Sequence, residues 1–186
     1  MKIIALEAES VRTPAQQNEV MRRLIARIRQ HEHFAHVPIV VIPENNLGFE
    51  SSHIADYVRN MPNVSVFTEN PDDLREGVRK TAQNTDDYQR CVDRMLRLRR
   101  CFFDRNIFTS SKAYEKANGD CRAIKEELRN QLERYHWEIA EAKNNFGKRS
   151  ITMTGKMGGA QDDLYVSFAM LEFWSQVHMR RAGLIS

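Results

Sequence analysis

The sequence predicts an α/β domain in which a mixed sheet is flanked by helices. Strand and helix patterns alternate along the chain, and the run from Val37 to Ile42 is uncharged and rich in β-branched residues. Such a run is typical of a strand that is covered on both faces. The last helix, expected from Leu164 to about Met179, is apolar over most of its surface and should be buried.

Four further elements are expected in the first half of the chain. A strand should span Ile3 to Leu6. The segment Thr13-Pro14-Ala15-Gln16 then supplies an N-cap, a proline at the first helical position and the glutamine of a capping box, so a helix should run to about Gln30. A helix from about Phe49 to Arg59 and a strand from Val64 to Phe67 follow.

The second half of the chain predicts two helices and then a hairpin. Apolar residues recur at helical spacing from about Asp86 to Arg100 and from Ala123 to Leu132. Strands from Tyr135 to Ala140 and from Ser150 to Thr154 should flank a turn at 144–147. Three phenylalanines beside the end of the first of these helices are expected in the core: Phe102, Phe103 and Phe108.

The composition is that of one compact domain over residues 1–186. The chain is 41% hydrophobic and 28% charged, and its net charge of +3 permits a nucleic-acid partner without requiring one. The three cysteines show no C-x-x-C spacing, which argues against a zinc ribbon or a secreted disulfide framework. No apolar run approaches the roughly 20 residues of a membrane span. We therefore expect a soluble intracellular protein with no membrane partner.

Two acidic motifs carry the chemical signal of the chain. Asp162 and Asp163 follow Gly158-Gly159-Ala160-Gln161 and open the last helix, where the helix dipole favours ionised carboxylates. Glu44 follows the strand that ends near Ile42 and precedes Asn45-Asn46-Leu47-Gly48. Two-metal hydrolysis of a phosphodiester requires hard oxygen ligands of this kind on rigid elements. Taken singly, the aspartates also fit a helix cap, and the glutamate also fits a solvated turn.

Together these motifs resemble the nuclease domain of the viral terminase large subunit, the DNA-packaging protein of tailed phages and herpesviruses. The resemblance covers most of the chain and closes on Thr154-Gly155-Lys156 and Gly159 to Leu164. It implies an RNase H-like fold. It also implies that Glu44, Asp162 and Asp163 are the catalytic metal ligands, holding two Mg²⁺ or Mn²⁺ ions.

The chain departs from the family pattern at one point. The family's first catalytic Asp lies on a β-hairpin before the strand matched here by Lys2 to Glu9, and this sequence has no counterpart of that hairpin. Either the chain is a partial nuclease domain, or Glu7 or Glu9 replaces the missing acid. The isolated chain could then be inactive. A G-x-x-x-x-G-K-[ST] phosphate loop is also absent from the sequence, so translocation is not assigned to it.

The resemblance implies a Mg²⁺- or Mn²⁺-dependent endonuclease that cuts concatemeric double-stranded viral DNA by two-metal hydrolysis. Its implied partners are the terminase ATPase portion, a small terminase subunit and a capsid portal. The host compartment would be the nucleus for a herpesvirus-like protein and the cytoplasm for a phage-like one. Two alternatives stay open: a non-catalytic DNA-binding or assembly module of the packaging machinery, and another RNase H-like nuclease such as a junction resolvase.

Basic residues near the acidic pair are the expected DNA contacts. Lys148, Arg149 and Lys156 lie in the hairpin and loop that lead into Asp162-Asp163. The arginines between positions 90 and 105 alternate with aspartates, which favours a solvated helix face over a DNA surface. His31, His33 and His36 are expected at a helix end, where they complement the helix dipole, and no cysteine or carboxylate pattern completes a zinc site around them.

Overall fold

The structure is a computed structural model that describes residues 1–6, 13–45, 50–70, 72, 76–109, 114–115, 121–122, 124–140, 150–154 and 163–185. The chain divides into two compact units. The first unit comprises Met1–Ala8 and Ala82–Ser186, and the second comprises Glu9–Thr81. One domain over residues 1–186 stays a prediction.

The Glu9–Thr81 unit contains one strand–helix–strand motif, which is preceded by a helix. Its elements are α1 (Pro14–Arg29), a 3₁₀ turn (Glu32–Phe34), β2 (Ile39–Val41), α2 (Glu50–Arg59) and β3 (Val64–Val66). Strands β2 and β3 are parallel, and Ile39 pairs with Val64. A helical crossover between parallel strands is the expected connection for such a pair.

The predicted capping box at the start of α1 is confirmed. The Thr13 hydroxyl accepts a hydrogen bond from the Gln16 N–H at 3.3 Å, and the Gln16 side chain accepts one from the Thr13 N–H at 3.2 Å. Helix α1 packs on α2 around a core of Ile25, Val41 and Val58. The apolar spacing of both helices therefore serves one core.

The other unit contains the remaining helices and strands. Those in its first part are β1 (Lys2–Leu6), α3 (Ala82–Arg97), β4 (Phe102–Thr109), β5 (Tyr114–Glu115) and β6 (Cys121–Arg122). Those in its second part are α4 (Ile124–Arg134), β7 (His136–Ala140), β8 (Ser150–Thr154) and α5 (Asp163–Arg181). Strands β1 and β4 are parallel, whereas β5 pairs with β6 and β7 with β8 in antiparallel fashion. The predicted antiparallel pairing of β7 with β8 is confirmed, and the predicted turn at 144–147 lies outside the described residues.

The expectation of a core phenylalanine cluster after α3 is wrong for two of its three members. Helix α3 ends at Arg97, and the chain then reverses through Arg99, whose φ is 52°. The Arg99 and Arg100 N–H groups donate to the carbonyls of Leu96 and Met95, which is the pattern of a Schellman ending. Strand β4 follows, and Phe102 and Phe103 are exposed on it. The Phe108 side chain lies outside the described residues.

Helix α5 is buried over most of its first half, as predicted. Its buried apolar side chains include Leu164, Tyr165, Val166, Phe168, Ala169, Met170 and Trp174. It packs against α3 and α4. The Trp174 indole N–H donates to the Tyr88 hydroxyl of α3 at 2.7 Å. A helix that is apolar on several sides is stable here because two neighbouring helices cover it.

The predicted α/β class is confirmed at this level. Five α-helices and short strands, two pairs of them parallel, occur among the described residues. These strands form two-stranded sheets, so the larger RNase H-like mixed sheet stays a prediction. Within the same residues, every helix is too short or too polar to cross a membrane.

Candidate metal centre

Glu44 follows β2 at the carboxyl end of the strand, where the sequence predicts a metal ligand. Its main chain is held between two hydrogen bonds. The Val78 N–H donates to the Pro43 carbonyl at 2.9 Å, and the Asn45 N–H donates to the Val78 carbonyl at 2.7 Å. These bonds make a parallel bridge between Glu44 and Val78. The Glu44 side chain is half-buried.

Gly77 makes this arrangement possible, and sequence reasoning missed it. After β2 and β3 end, Gly77 forms a parallel bridge with Thr68 and Val78 forms one with Glu44. Gly77 has a φ of 84°, and a Cβ atom on it would lie 2.5 Å from the Pro43 carbonyl oxygen. Only glycine satisfies both conditions. The signal available in the sequence was a single glycine after a run of polar and charged residues.

Asp163 is the first residue of α5, and its side chain is exposed. The predicted helix start is therefore confirmed. The next three residues, Leu164, Tyr165 and Val166, are buried. The Asp163 carboxylate therefore lies at the exposed end of a helix whose first turn is packed against other side chains. Asp163 also lies at the positive end of the helix dipole, where an anionic group is stabilised by about 0.3–1 kcal/mol.

A buried polar network on α4 holds the opening turn of α5. The Gln131 Oε1 accepts a hydrogen bond from the Tyr165 N–H at 2.9 Å. The Gln131 amide donates in turn to Glu127 Oε1 at 3.2 Å, and Arg134 donates to the same oxygen at 3.1 Å. Glu127 and Gln131 are 2% and 1% exposed. Sequence reasoning missed this network as well.

Tyr165 fixes the same turn through its side chain. Its ring stacks on that of Tyr135, with centroids 3.6 Å apart, and its hydroxyl donates to Gln89 Oε1 of α3. Burial raises the pKa of Tyr165 above the usual range, so the hydroxyl remains a donor at neutral and moderately alkaline pH. Side chains of α3 and α4 thus hold the start of α5.

The predicted ligands lie in different units. Glu44 belongs to Glu9–Thr81 and Asp163 to the other unit, so their meeting at one centre stays a prediction. Asp162 lies outside the described residues, as do Lys148, Arg149, Lys156, Glu7 and Glu9. Within the described part of the chain, no group of three or more His, Cys, Asp or Glu side chains is arranged to hold a metal.

The arginines of α3 make contacts within their own helix and with α5. Arg90 pairs with Asp86 and Arg97 with Asp93, each across one helical turn at 2.9 Å. Arg94 donates to Gln176 Oε1 of α5 at 3.2 Å. The prediction of a solvated helix face is confirmed for Arg90 and Arg97, whose side chains are largely exposed.

The histidines after α1 form a surface turn, as predicted. His31 Nδ1 accepts a hydrogen bond from the His33 N–H at 3.3 Å, and the two rings lie 5.3 Å apart. All three histidines, His36 included, are exposed. The turn is held instead by Arg29, whose guanidinium donates to the carbonyls of Ala35 and Val37 at 2.8 Å each.

A buried carboxyl group lies on α5 two turns after its start. Glu172 is 0% exposed, and burial raises its pKa. Its neighbours include the thiols of Cys91 and Cys101, both of which are free. Burial also raises the pKa of Cys101 to about 12. Both thiols are therefore protonated at neutral pH, as expected for reduced internal cysteines.

Comparison with known proteins adds no assignment. No protein-family model, curated protein or solved structure matches this chain.

Proposed function

We propose that this chain is the nuclease portion of a viral DNA-packaging terminase. It would be a Mg²⁺- or Mn²⁺-dependent endonuclease that cuts concatemeric double-stranded DNA. The observation that carries the proposal is the opening of α5, where Asp163 is exposed while the Tyr165 N–H is bound by Gln131. A capping carboxylate ordinarily accepts this N–H, the third of the helix. The Tyr165 N–H therefore does not need the Asp163 carboxylate as its acceptor.

The donor set fits a hard divalent cation. Carboxylate oxygens are the usual protein ligands of Mg²⁺ and Mn²⁺, and Glu44, Asp162 and Asp163 would supply them. When bound, the cations supply activation of water and stabilisation of charge on the phosphate. Two of these residues are described, and both stand at the end of a regular element. A ligand on a rigid element keeps its position without reorganisation during the reaction.

The protein's own residues have separable roles in this proposal. Glu44 is fixed by main-chain bonds to Val78, and Asp163 is fixed by the buried start of α5. Lys148, Arg149 and Lys156 would neutralise phosphates of the bound duplex and set its register. No protein side chain forms a covalent intermediate in this scheme.

The packaging context completes the proposal. The partners would be double-stranded DNA, the terminase ATPase portion, a small terminase subunit and a capsid portal. Cutting would take place in the host nucleus if the virus is herpesvirus-like and in the host cytoplasm if it is a phage. Both statements rest on the sequence resemblance alone.

Cleavage of linear and supercoiled DNA with Mn²⁺ or Mg²⁺ tests the function. The chain is assayed beside a version that is extended upstream by the preceding coding sequence. Each is compared with its Glu44→Gln, Asp162→Asn and Asp163→Asn variants. The matched control is Glu126→Gln, which removes an exposed carboxylate from the first turn of α4. The cleavage activity of each ligand variant should fall by more than the roughly 10- to 100-fold that is lost when an outer partner of a metal ligand is removed. The control should cut normally.

Three outcomes would contradict the proposal. If neither form cuts any DNA but both bind it, the chain is a non-catalytic packaging module. If branched DNA is cut in strong preference to linear duplex, the enzyme is a resolvase-like nuclease. If Glu126→Gln loses as much activity as Asp163→Asn, the acidic start of α5 has no special role.

A further inference from the structure

We infer that Gln131 is a positioning residue for Asp163, the described candidate metal ligand at the start of α5, and that Glu127 and Arg134 hold the Gln131 amide in place. The inference rests on the proposed function. It begins with an anomaly of α4: Gln131 and Glu127 are buried on the side of the helix that carries the buried Ile124 and Leu128. Glutamine and glutamate are seldom fully buried unless their polar atoms are used.

The hydrogen bonds show how those polar atoms are used. Arg134 Nη2 and Gln131 Nε2 both donate to Glu127 Oε1, at 3.1 and 3.2 Å. With its nitrogen held by Glu127, the Gln131 amide presents its oxygen to the Tyr165 N–H at 2.9 Å. The carboxylate thus determines which end of the amide faces α5. An amide turned the other way would place a donor against a donor.

Stability alone does not account for this arrangement. Burying a carboxylate and an amide costs desolvation free energy, and apolar side chains of similar size often serve a helix interface as well or better. What the polar network adds is a directional bond to one N–H group, two residues after Asp163. A single bond at that place sets the height and rotation of the first turn of α5 relative to α4.

The position of the first turn of α5 should affect metal affinity more than the position of any later turn, because this turn carries Asp163. Side chains that orient metal ligands without contacting the metal typically contribute about 10- to 100-fold in metal affinity. Gln131 reaches the backbone of the turn that begins with Asp163, and the Tyr165 ring and hydroxyl hold the same turn. The network therefore acts on the ligands through the backbone, without touching a metal.

The test compares three variants of the full chain by Mn²⁺ affinity and by the Mn²⁺ concentration that gives half-maximal DNA cleavage. Gln131→Leu removes the acceptor of the Tyr165 N–H. Glu127→Leu combined with Gln131→Leu makes the interface apolar and keeps the helices packed. The exchange Glu127→Gln combined with Gln131→Glu retains an acceptor opposite Tyr165 and a donor beside it.

Both leucine variants should weaken Mn²⁺ binding about 10- to 100-fold. The melting temperature of the doubly apolar variant should fall less than that of Gln131→Leu, because Gln131→Leu leaves the buried Glu127 carboxylate without the Gln131 donor. The exchange variant should recover most of the affinity. Unchanged Mn²⁺ affinity in the doubly apolar variant, or no recovery on exchange, would overturn the inference.

Asp163→Asn separates this inference from the proposed function. If Asp163→Asn weakens Mn²⁺ binding but the Gln131 variants do not, only the positioning role fails. If Asp163→Asn has no effect on Mn²⁺ binding, the metal centre itself fails, and the network is a structural contact between α4 and α5.

Discussion

The two described ends of the proposed centre are built by opposite means. Glu44 is held by main-chain hydrogen bonds on both sides, and a glycine allows the two chains to approach. Asp163 is held by side chains, because Gln131 and Tyr165 fix the turn that it opens. A main-chain framework tolerates most substitutions except at the glycine. A side-chain framework can be weakened one group at a time.

The largest effect is expected at Gly77. Gly77→Ala imposes a positive φ on a residue with a Cβ, and that Cβ would lie 2.5 Å from the Pro43 carbonyl oxygen. The free energy of unfolding should fall by about 2–4 kcal/mol in urea denaturation. Gly183→Ala is the matched control, because its φ is 68° but nothing lies within 4 Å of the added atom. It should lose only about 1–2 kcal/mol. Equal losses would mean that the contact with Pro43 is unimportant.

The next effect concerns Arg29, which lies in the same unit as Glu44. Its guanidinium donates to the carbonyls of Ala35 and Val37 at 2.8 Å and to that of Asn63 at 3.2 Å. Arg29→Met should cost about 1–3 kcal/mol of unfolding free energy, because several hydrogen bonds from a charged donor to backbone carbonyls are lost. Arg22→Met, which removes an exposed arginine paired with Glu19, should leave the urea midpoint unchanged. A larger loss for Arg22→Met would place the stabilisation elsewhere.

Glu172, a buried side chain further along α5, should give stability a pH dependence. Burial raises its pKa above the ordinary value of 4.5, so the folded state binds a proton more tightly than the unfolded state. The contribution of Glu172 to stability is therefore fully present below pH 4.5 and is lost as the pH rises through the raised pKa. Glu172→Gln should remove this loss. The free energy of unfolding of Glu172→Gln should exceed that of the wild type by more at pH 8 than at pH 4.5. A difference that does not change with pH would contradict this.

The smallest effect is expected for Tyr165→Phe, which removes the hydroxyl bonded to Gln89. The cost should be about 1 kcal/mol, the usual contribution of one hydrogen bond. Because burial raises the pKa of Tyr165, the cost should be the same at pH 6 and pH 9. Amide hydrogen exchange should quicken in the first turn of α5 and stay unchanged at Asn45. Equal quickening at both places would mean that the two frameworks are not independent.

The sequence predicted the elements whose signals are local. The capping box at Thr13, the α5 helix and the antiparallel pairing of β7 with β8 were all predicted correctly. Strand β4 was missed because its partner β1 lies about 100 residues away and because Asp104 and Arg105 interrupt its apolar pattern. Long-range pairing of this kind leaves no periodicity in the segment itself.

The supports of the candidate site were harder to predict than its ligands. Glu44 and Asp163 could be selected from their places after a strand and before a helix. Gly77 and Val78 make single bridges to Thr68 and Glu44, and such bridges have no strand pattern of their own. Gln131 had one usable signal: it lies at the spacing of Ile124 and Leu128, on the apolar side of α4. A polar residue on an apolar helix face predicts a buried partner but does not identify it.

Paramagnetic broadening by Mn²⁺ tests the central claim most directly, because it reports on both ends of the centre in one titration. If Glu44 and Asp163 share a metal centre, the backbone amide signals of Asn45 and Leu164 should disappear together at the same low ratio of Mn²⁺ to protein. Both should persist at that ratio in Asp163→Asn. If only one signal broadens, or if Asp163→Asn changes neither, the two carboxylates do not share a metal centre and the nuclease proposal fails.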